Sequence, residues 1–298
     1  IIPTHNRIDS LKNSIKSIIK QRRLPTEIII IDDGSVDEVK ETIFSCVPTC
    51  VKCILLRNEK AQGANYSRNR GVTIATSDYV CFLDDDDEFK DNKVEEILSA
   101  IEKKPYVDLI TSFADVNIDG KYRYVVKPSS KVNFRSQLIR NEVGMTSMVT
   151  VRRDFFKKIG MFDGQLPARQ DYEAWLRTLK AGATYYCINK SLSTINMSFL
   201  NKSISKSLIN NIEANEIIFS RYKVELSELN ESEISSRAVA LEIFYAHKLL
   251  MRGENFRSSR KLFKGFLKYK DKRLIFASVL SIFGRDLFFL IYSVLNKR

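Results

Sequence analysis

Glu27-Ile28-Ile29-Ile30-Ile31-Asp32-Asp33-Gly34-Ser35 decides the fold. The isoleucine run is too short for a helix and apolar on both faces, as in a strand buried within a parallel sheet. It ends on two carboxylates and a glycine, which signal a loop. Upstream, Ile1-Ile2 ends a similar strand. The chain opens inside that apolar run, so this first strand is expected to lack its beginning. Between the two strands Leu11, Ile15, Ile18 and Ile19 recur at helical spacing, with Asp9 or Ser10 as the expected cap and Pro25 as the stop. Downstream, the pattern predicts a helix around Val36–Phe44 and a third strand over Val51–Leu56. A loop and helix over Gly63–Ala75 and a buried strand over Tyr79–Leu83 follow, and that strand runs into Asp84-Asp85-Asp86-Asp87. Such βαβαβ order implies an open, mostly parallel sheet flanked by helices. Ligands of these sheets bind beyond the carboxyl ends of the strands. Asp32-Asp33 and Asp84–Asp87 both fall there.

The middle of the chain is less regular. Leu109–Asn117 and Tyr122–Val126 read as strands joined at Asp119-Gly120, and Ser147–Val151 as another. Arg153–Ile159 reads as a short helix closed by Gly160, and Asp171–Ala181 as a longer one with Gly182 as its C-cap. Thr184–Ile188 reads as a strand; after about Asn201 only helical signals remain. Apolar residues make up 44% and charged residues 28% of the 298, which excludes a disordered or collagen-like chain. The five cysteines do not form a disulfide framework. Cys46, Cys50 and Cys53 have zinc-like spacing but no evident fourth ligand, and read as thiols.

Consecutive carboxylates repel, and a hard divalent cation with oxygen ligands relieves that repulsion. A solvated acidic loop is the alternative. Alternate residues of a strand share a face, so Asp84 and Asp86 are expected to face one ligand while Asp85 and Asp87 point elsewhere.

With these residues in view, the chain resembles family 2 of the glycosyltransferases. The resemblance lies in Pro3-Thr4-His5-Asn6-Arg7, Gln21, Pro25, Glu27–Ser35 and Asp37, then Gly63–Val72, Ala75 and Ser77–Asp87. It returns at Gly160-Met161-Phe162-Asp163 and Asp171–Arg177, and spans about Ile1 to Ser205. It implies an α/β GT-A fold, with a Rossmann-like, mostly parallel central sheet and, here, a helical C-terminal extension. The expected domains are 1–205, divided into a nucleotide-sugar-binding half (1–105) and an acceptor-binding half (106–205), and a basic helical region (206–298).

The resemblance also implies site residues. Pro3, Thr4 and His5 would line the nucleotide pocket, Asp33 would bond the base, and Arg68 would lie near the base or diphosphate. Asp84 would face the ribose or metal, Asp85 would stand among the donor-binding residues, and Asp86 would be the principal ligand of Mn²⁺ or Mg²⁺. Asp171 falls at the position of the catalytic base; its other reading is an N-cap or first-turn aspartate. The implied reaction is metal-dependent, inverting transfer of one sugar from a nucleotide-diphosphate sugar to a glycan or lipid-linked acceptor in surface-polysaccharide biosynthesis. The chemistry agrees: a cation stabilises the departing diphosphate, and a carboxylate takes the proton of the attacking hydroxyl. Gln170 stands where relatives often carry Glu, Asn196-Met197-Ser198 offers no histidine ligand, and the Gln-x-x-Arg-Trp mark of processive synthases is missing. A catalytically inactive sugar-nucleotide-binding module and a nucleotidyltransferase are the alternatives.

Nearly all of the net charge of +12 lies in Lys248–Arg298, which holds 13 Lys/Arg against 3 Asp/Glu. Aromatic residues interleave with these cations, and an apolar run over Leu274–Leu295 follows, interrupted by Arg285-Asp286. A charge at the centre of a membrane span costs about 2.5–3.5 kcal/mol, so the segment is expected to lie on an anionic membrane surface rather than cross it. Packing of this face on the catalytic domain is the alternative. The expected location is cytoplasmic, peripheral at the inner face of the cell membrane. No nucleic acid partner is expected.

Overall fold

The computed structural model describes residues 1–36, 39–198, 207–284 and 287–289. It begins with β1 (Ile2–Thr4), α1 (Ile8–Ile19), β2 (Glu27–Asp32), α2 (Lys40–Cys46), β3 (Lys52–Arg57), α3 (Ala64–Ile74) and β4 (Tyr79–Cys81). β1, β2 and β3 are parallel neighbours, with Ile30 beside Ile2 and Ile29 beside Ile54. The isoleucines of β2 divide by parity. Ile28 and Ile30 pack with Leu11, Ile15 and Ile18 of α1, whereas Ile29 and Ile31 pack with Val72 and Ala75 on the α3 side. Each such buried side chain contributes about 1.5–3 kcal/mol. α1 begins at Ile8, with Arg7 at the N-cap, so Asp9 is a first-turn residue and neither Asp9 nor Ser10 caps the helix. α2 starts at Lys40, later than the pattern suggested.

The chain continues through β5 (Glu88–Phe89), α4 (Lys93–Lys103), β6 (Leu109–Ile118), β7 (Lys121–Val126), α5 (Phe134–Ile139), β8 (Val149–Arg152), α6 (Arg153–Lys158), α7 (Gln170–Lys180) and β9 (Tyr185–Met197). β4, β8, β6, β9 and β5 form a second sheet in that order, and β7 also pairs with β6. The two sheets meet at Ile1: its N–H donates to Cys81 O (2.8 Å), and its carbonyl accepts from Leu83 N (3.0 Å). α3 lies so close to this seam that a Cβ on Gly71 would fall 2.6 Å from Ile1 Cγ2. β9 runs nine residues past the expected end at Ile188, because β6 pairs with it down to Met197, with register shifts around Phe113.

Glu27 ties β2 to the turn after α3. Its carboxylate accepts from Thr76 N (2.7 Å), Ser77 N (3.2 Å) and Lys52 Nζ (3.1 Å), and its side chain is 5% exposed. Burial alone would raise its pKa, but the bonds from Thr76, Lys52 and Ser77 lower it from 4.5 to about 2. The folded-state pKa is depressed, so the stability it contributes is complete above pH 4.5 and is lost as pH falls toward about 2. Glu27→Ala leaves those donors unpaired and should cost about 1–3 kcal/mol; urea denaturation at pH 7 and pH 3 checks it, with a smaller loss at pH 3.

The remaining elements are α8 (Leu208–Arg221), α9 (Lys223–Ser227), α10 (Glu231–Met251), α11 (Asn255–Tyr269) and α12 (Lys272–Ile282). The expected boundary at 205/206 lies outside the described residues, as do Arg285-Asp286 and 290–298. Leu250, Leu262, Leu274, Ala277 and Phe289 join the central core, and Phe289 stacks on Tyr124 of β7 (6.2 Å between centroids). One face of the tail therefore packs on the α/β body. The other leaves Phe256, Phe263, Leu267, Phe276 and Phe283 exposed. Among the described residues no helix is long and apolar enough to cross a membrane.

Candidate active site

The carboxyl ends of β1, β2 and β4 open into one cleft of about 2370 Å³. Pro3, Thr4, His5, Asp33, Arg68, Asp84–Asp87 and Asp171 all line it. The structure thus brings every site residue expected from the sequence into a single cavity.

On the β1–β2 side, Thr4 Oγ1 donates to Asp85 Oδ2 (2.8 Å), and His5 Nδ1 lies 2.9 Å from Asp33 O. Asp33 is buried and binds the loop before α3: it accepts from Asn58 Nδ2 (2.6 Å), Gln62 N (2.9 Å), Gly63 N (2.7 Å) and Ser67 Oγ (3.2 Å). Burial would raise its pKa, but the bonds from Gln62, Asn58, Gly63 and Ser67 hold it below the ordinary value. Arg68, on α3, pairs with Asp84 and donates to Asn65 Oδ1 (3.1 Å).

The aspartate run is a turn and not a continuation of the strand, which corrects the alternation expected for it. β4 ends at Cys81, and Asp87 N donates to Asp84 O (3.0 Å). α1 pins the turn through Ser14 Oγ, which donates to the carbonyls of Asp85 (3.0 Å) and Asp87 (2.6 Å). Asp87 consequently swings back beside Asp84 and Asp86. Asp85 turns the other way, onto Thr4 and Arg7.

Asp84, Asp86 and Asp87 each present a carboxylate oxygen within 4.8 Å of the others. Burial, and then the charge of Asp84, raises the pKa of both Asp86 and Asp87. This set of hard oxygen donors, crowded and partly desolvated, fits a divalent cation such as Mn²⁺ or Mg²⁺. Arg7 supplies the balancing charge in the structure, at 2.8 Å from Asp86 Oδ2 and 3.0 Å from Asp85 Oδ1.

Sequence reasoning missed three supports of this turn. Asn196, at the position without a histidine, donates its backbone N–H to Asp87 Oδ1 (2.9 Å) and its amide to Asp86 O (3.0 Å). Lys93 is fully buried and donates to Ser147 O (2.9 Å) and Ser193 Oγ (2.8 Å). Arg7 carried a motif but no assigned role. Lys93 alone of the three had no signal in the sequence.

Asp171 is the second residue of α7, whose N-cap is Arg169 in a left-handed conformation (φ 58°). It is therefore a first-turn aspartate and not the cap. Its Oδ1 accepts from Tyr172 N (2.7 Å). Burial raises its pKa, against that hydrogen bond and the charges of Arg169, Arg68 and Lys248. The Gly160–Asp163 motif positions this helix relative to α3 and the parallel sheet. Asn69 of α3 exchanges two hydrogen bonds with the Phe162 backbone (2.8 and 3.0 Å), and Arg177 of α7 donates to the carbonyls of Ile159 and Met161. Gln170 donates to Leu166 O (2.9 Å), closing the loop before the helix. Trp175 is wholly buried and donates to Gly144 O (3.1 Å), so it packs in the core and does not stack on a sugar.

Residues 1–160 match the sequence model of Glycosyl transferase family 2. The chain is 29% identical over 240 residues to a Haemophilus influenzae protein named as an uncharacterized glycosyltransferase, covering 79% of this chain and 80% of that one. It is 30% identical over 207 residues to the amylovoran biosynthesis glycosyltransferase AmsB of Erwinia amylovora, covering 66% and 68%. The mannosyltransferase PcManGT of Pyrobaculum calidifontis, solved with GDP-Man and Mn²⁺, superposes with a TM-score of 0.60 at 12% identity over 100% of this chain and 86% of that one. At that identity the likeness shows the fold alone, which is GT-A.

Proposed function

The chain belongs to glycosyl transferase family 2 and is a glycosyltransferase, and we propose that it transfers one sugar, with inversion, from a nucleotide-diphosphate sugar to a glycan or lipid-linked acceptor in surface-polysaccharide biosynthesis. The observation that carries this reading is the shared cleft: the aspartate turn and the β1–β2 tips open into the same cavity as Asp171. Amylovoran biosynthesis in the name of AmsB supports the pathway class.

In this reading the β1–β2 tips and the loop held by Asp33 seat the nucleotide. Asp86, with Asp84 and Asp87, would hold Mn²⁺ or Mg²⁺, which supplies charge neutralisation to the departing diphosphate. Arg68 and Arg7 add fixed positive charge beside it. Asp171, half-buried on the acceptor side, takes the proton of the attacking hydroxyl. Release of nucleoside diphosphate from a panel of nucleotide sugars, with Mn²⁺ or Mg²⁺ and without acceptor, tests the reading. Slow hydrolysis of at least one donor is expected; neither turnover nor binding across the panel contradicts it.

The location we propose is the anionic inner surface of the membrane. Exposed Phe263, Leu267 and Phe276 lie among Arg260, Lys264, Lys268 and Lys272, the pairing that draws a helix face into anionic lipid. Phe263→Ser with Phe276→Ser should lower co-sedimentation with phosphatidylglycerol vesicles about tenfold or more, since each lost aromatic face is worth about 1.5–3 kcal/mol. Equal pelleting of parent and variant contradicts the location.

A further inference from the structure

The acceptor side of the cleft holds two cations that the reaction above does not use. Lys248 of α10 and Arg169 before α7 lie against the same ring, Phe244, with Nζ 5.0 Å and Cζ 4.5 Å from its centroid. Arg169 also lies over Tyr172 (4.0 Å) and donates to Asn215 of α8. Both line the cavity that contains Asp171. Neither forms an ion pair among the described residues, and Asp171 is the carboxylate whose charge opposes the cost of burying Lys248. His247, next to it, adds no charge, because burial lowers its pKa to about 3.

Both cations are half-buried; a partly desolvated cation needs a counter-charge, and aromatic faces supply only part of one. Asp171 cannot serve both cations fully, since its carboxylate must remain free to accept a proton. Two cations facing one working carboxylate leave this half of the cleft positive. A planar guanidinium and a compact ammonium that share one aromatic ring at the cleft suit an oxyanion. We infer that the acceptor carries an anionic group, a phosphoester or a carboxylate, close to its attacking hydroxyl, and that Lys248 and Arg169 bind it. This deepens the proposed function and rests on it.

The test uses the full chain with its donor site saturated by a nucleoside diphosphate and Mn²⁺, which blocks that site to other anions. Geranyl diphosphate and methyl β-glucuronide are titrated calorimetrically, with geraniol and methyl β-glucoside as neutral controls. One anion should bind about 10- to 100-fold more tightly than its neutral counterpart, as expected for a charged hydrogen bond. The arm that responds identifies the source as phosphoester or acidic sugar. Lys248→Met should erase the preference, and Lys248→Arg should retain it. Arg169→Lys, which keeps the charge but loses the fork, should weaken it and serves if Lys248→Met does not fold. An equal affinity for anion and neutral control in the parent overturns the inference, as does an unchanged preference in a folded Lys248→Met. If the nucleoside diphosphate does not bind in the first titration, the donor reading itself fails and this inference falls with it.

Discussion

Asp171→Asn should lower the rate of sugar transfer about 10²- to 10⁴-fold, the usual contribution of a general base. Asparagine keeps the shape of the side chain and can still accept the Tyr172 N–H. Donor affinity should therefore stay within about twofold, since surface and helix packing are untouched. The pH profile separates a base from a structural residue. Burial raises the pKa of Asp171, and in the role we propose for it the ionised form is the active one. The parent rate should fall on acidification at a higher pH than an exposed aspartate would set, and this limb should be missing from Asp171→Asn. A variant that transfers at the parental rate removes Asp171 from the mechanism. A variant that loses donor binding as well points to a structural role.

Asp86→Asn should lower metal-supported turnover of the nucleotide sugar about 10²- to 10³-fold, comparable to removing one preorganised electrostatic stabiliser. Asp84 and Asp87 remain within reach of the site. Raising Mn²⁺ should therefore restore part of the activity, whereas it should restore none to Asp171→Asn. Asp85→Asn gives the contrast. Asp85 faces Thr4 and Arg7, so its loss should loosen the junction of β1 with the turn without steepening the metal dependence. Equal metal dependence in Asp86→Asn and Asp85→Asn would mean that the turn does not divide its carboxylates as described.

The parallel half of the fold was legible because both faces of β2 are buried, and a run of isoleucines has few other uses. The motif pointed to Asp171, which the structure places in the cleft as a first-turn aspartate whose pKa burial raises; the base role remains our proposal. The geometry of Asp84–Asp87 was not legible. It depends on Ser14 from α1 and Asn196 from β9, both remote in sequence; local alternation grouped Asp84 with Asp86 and set Asp85 apart, as found, but misplaced Asp87. The length of β9 was hidden in the same way, since Asn189-Lys190-Ser191 looks like a strand end until β6 supplies a partner. Lys248 was legible only as the start of the basic C-terminal region, not as a residue of the cleft. Only tertiary packing shows that one turn of its helix borders the cleft.

The most direct test of the account is calorimetric titration of the intact chain with nucleoside diphosphates and nucleotide sugars, with and without Mn²⁺. We expect at least one donor to bind with an affinity that rises tenfold or more when the cation is added, about 1.4 kcal/mol of coupling. In Asp86→Asn that coupling should shrink at the same Mn²⁺ concentration and return in part as Mn²⁺ is raised. Donor binding that is indifferent to Mn²⁺ and Mg²⁺ in the parent protein would contradict the central claim that the aspartate turn holds a cation against the diphosphate.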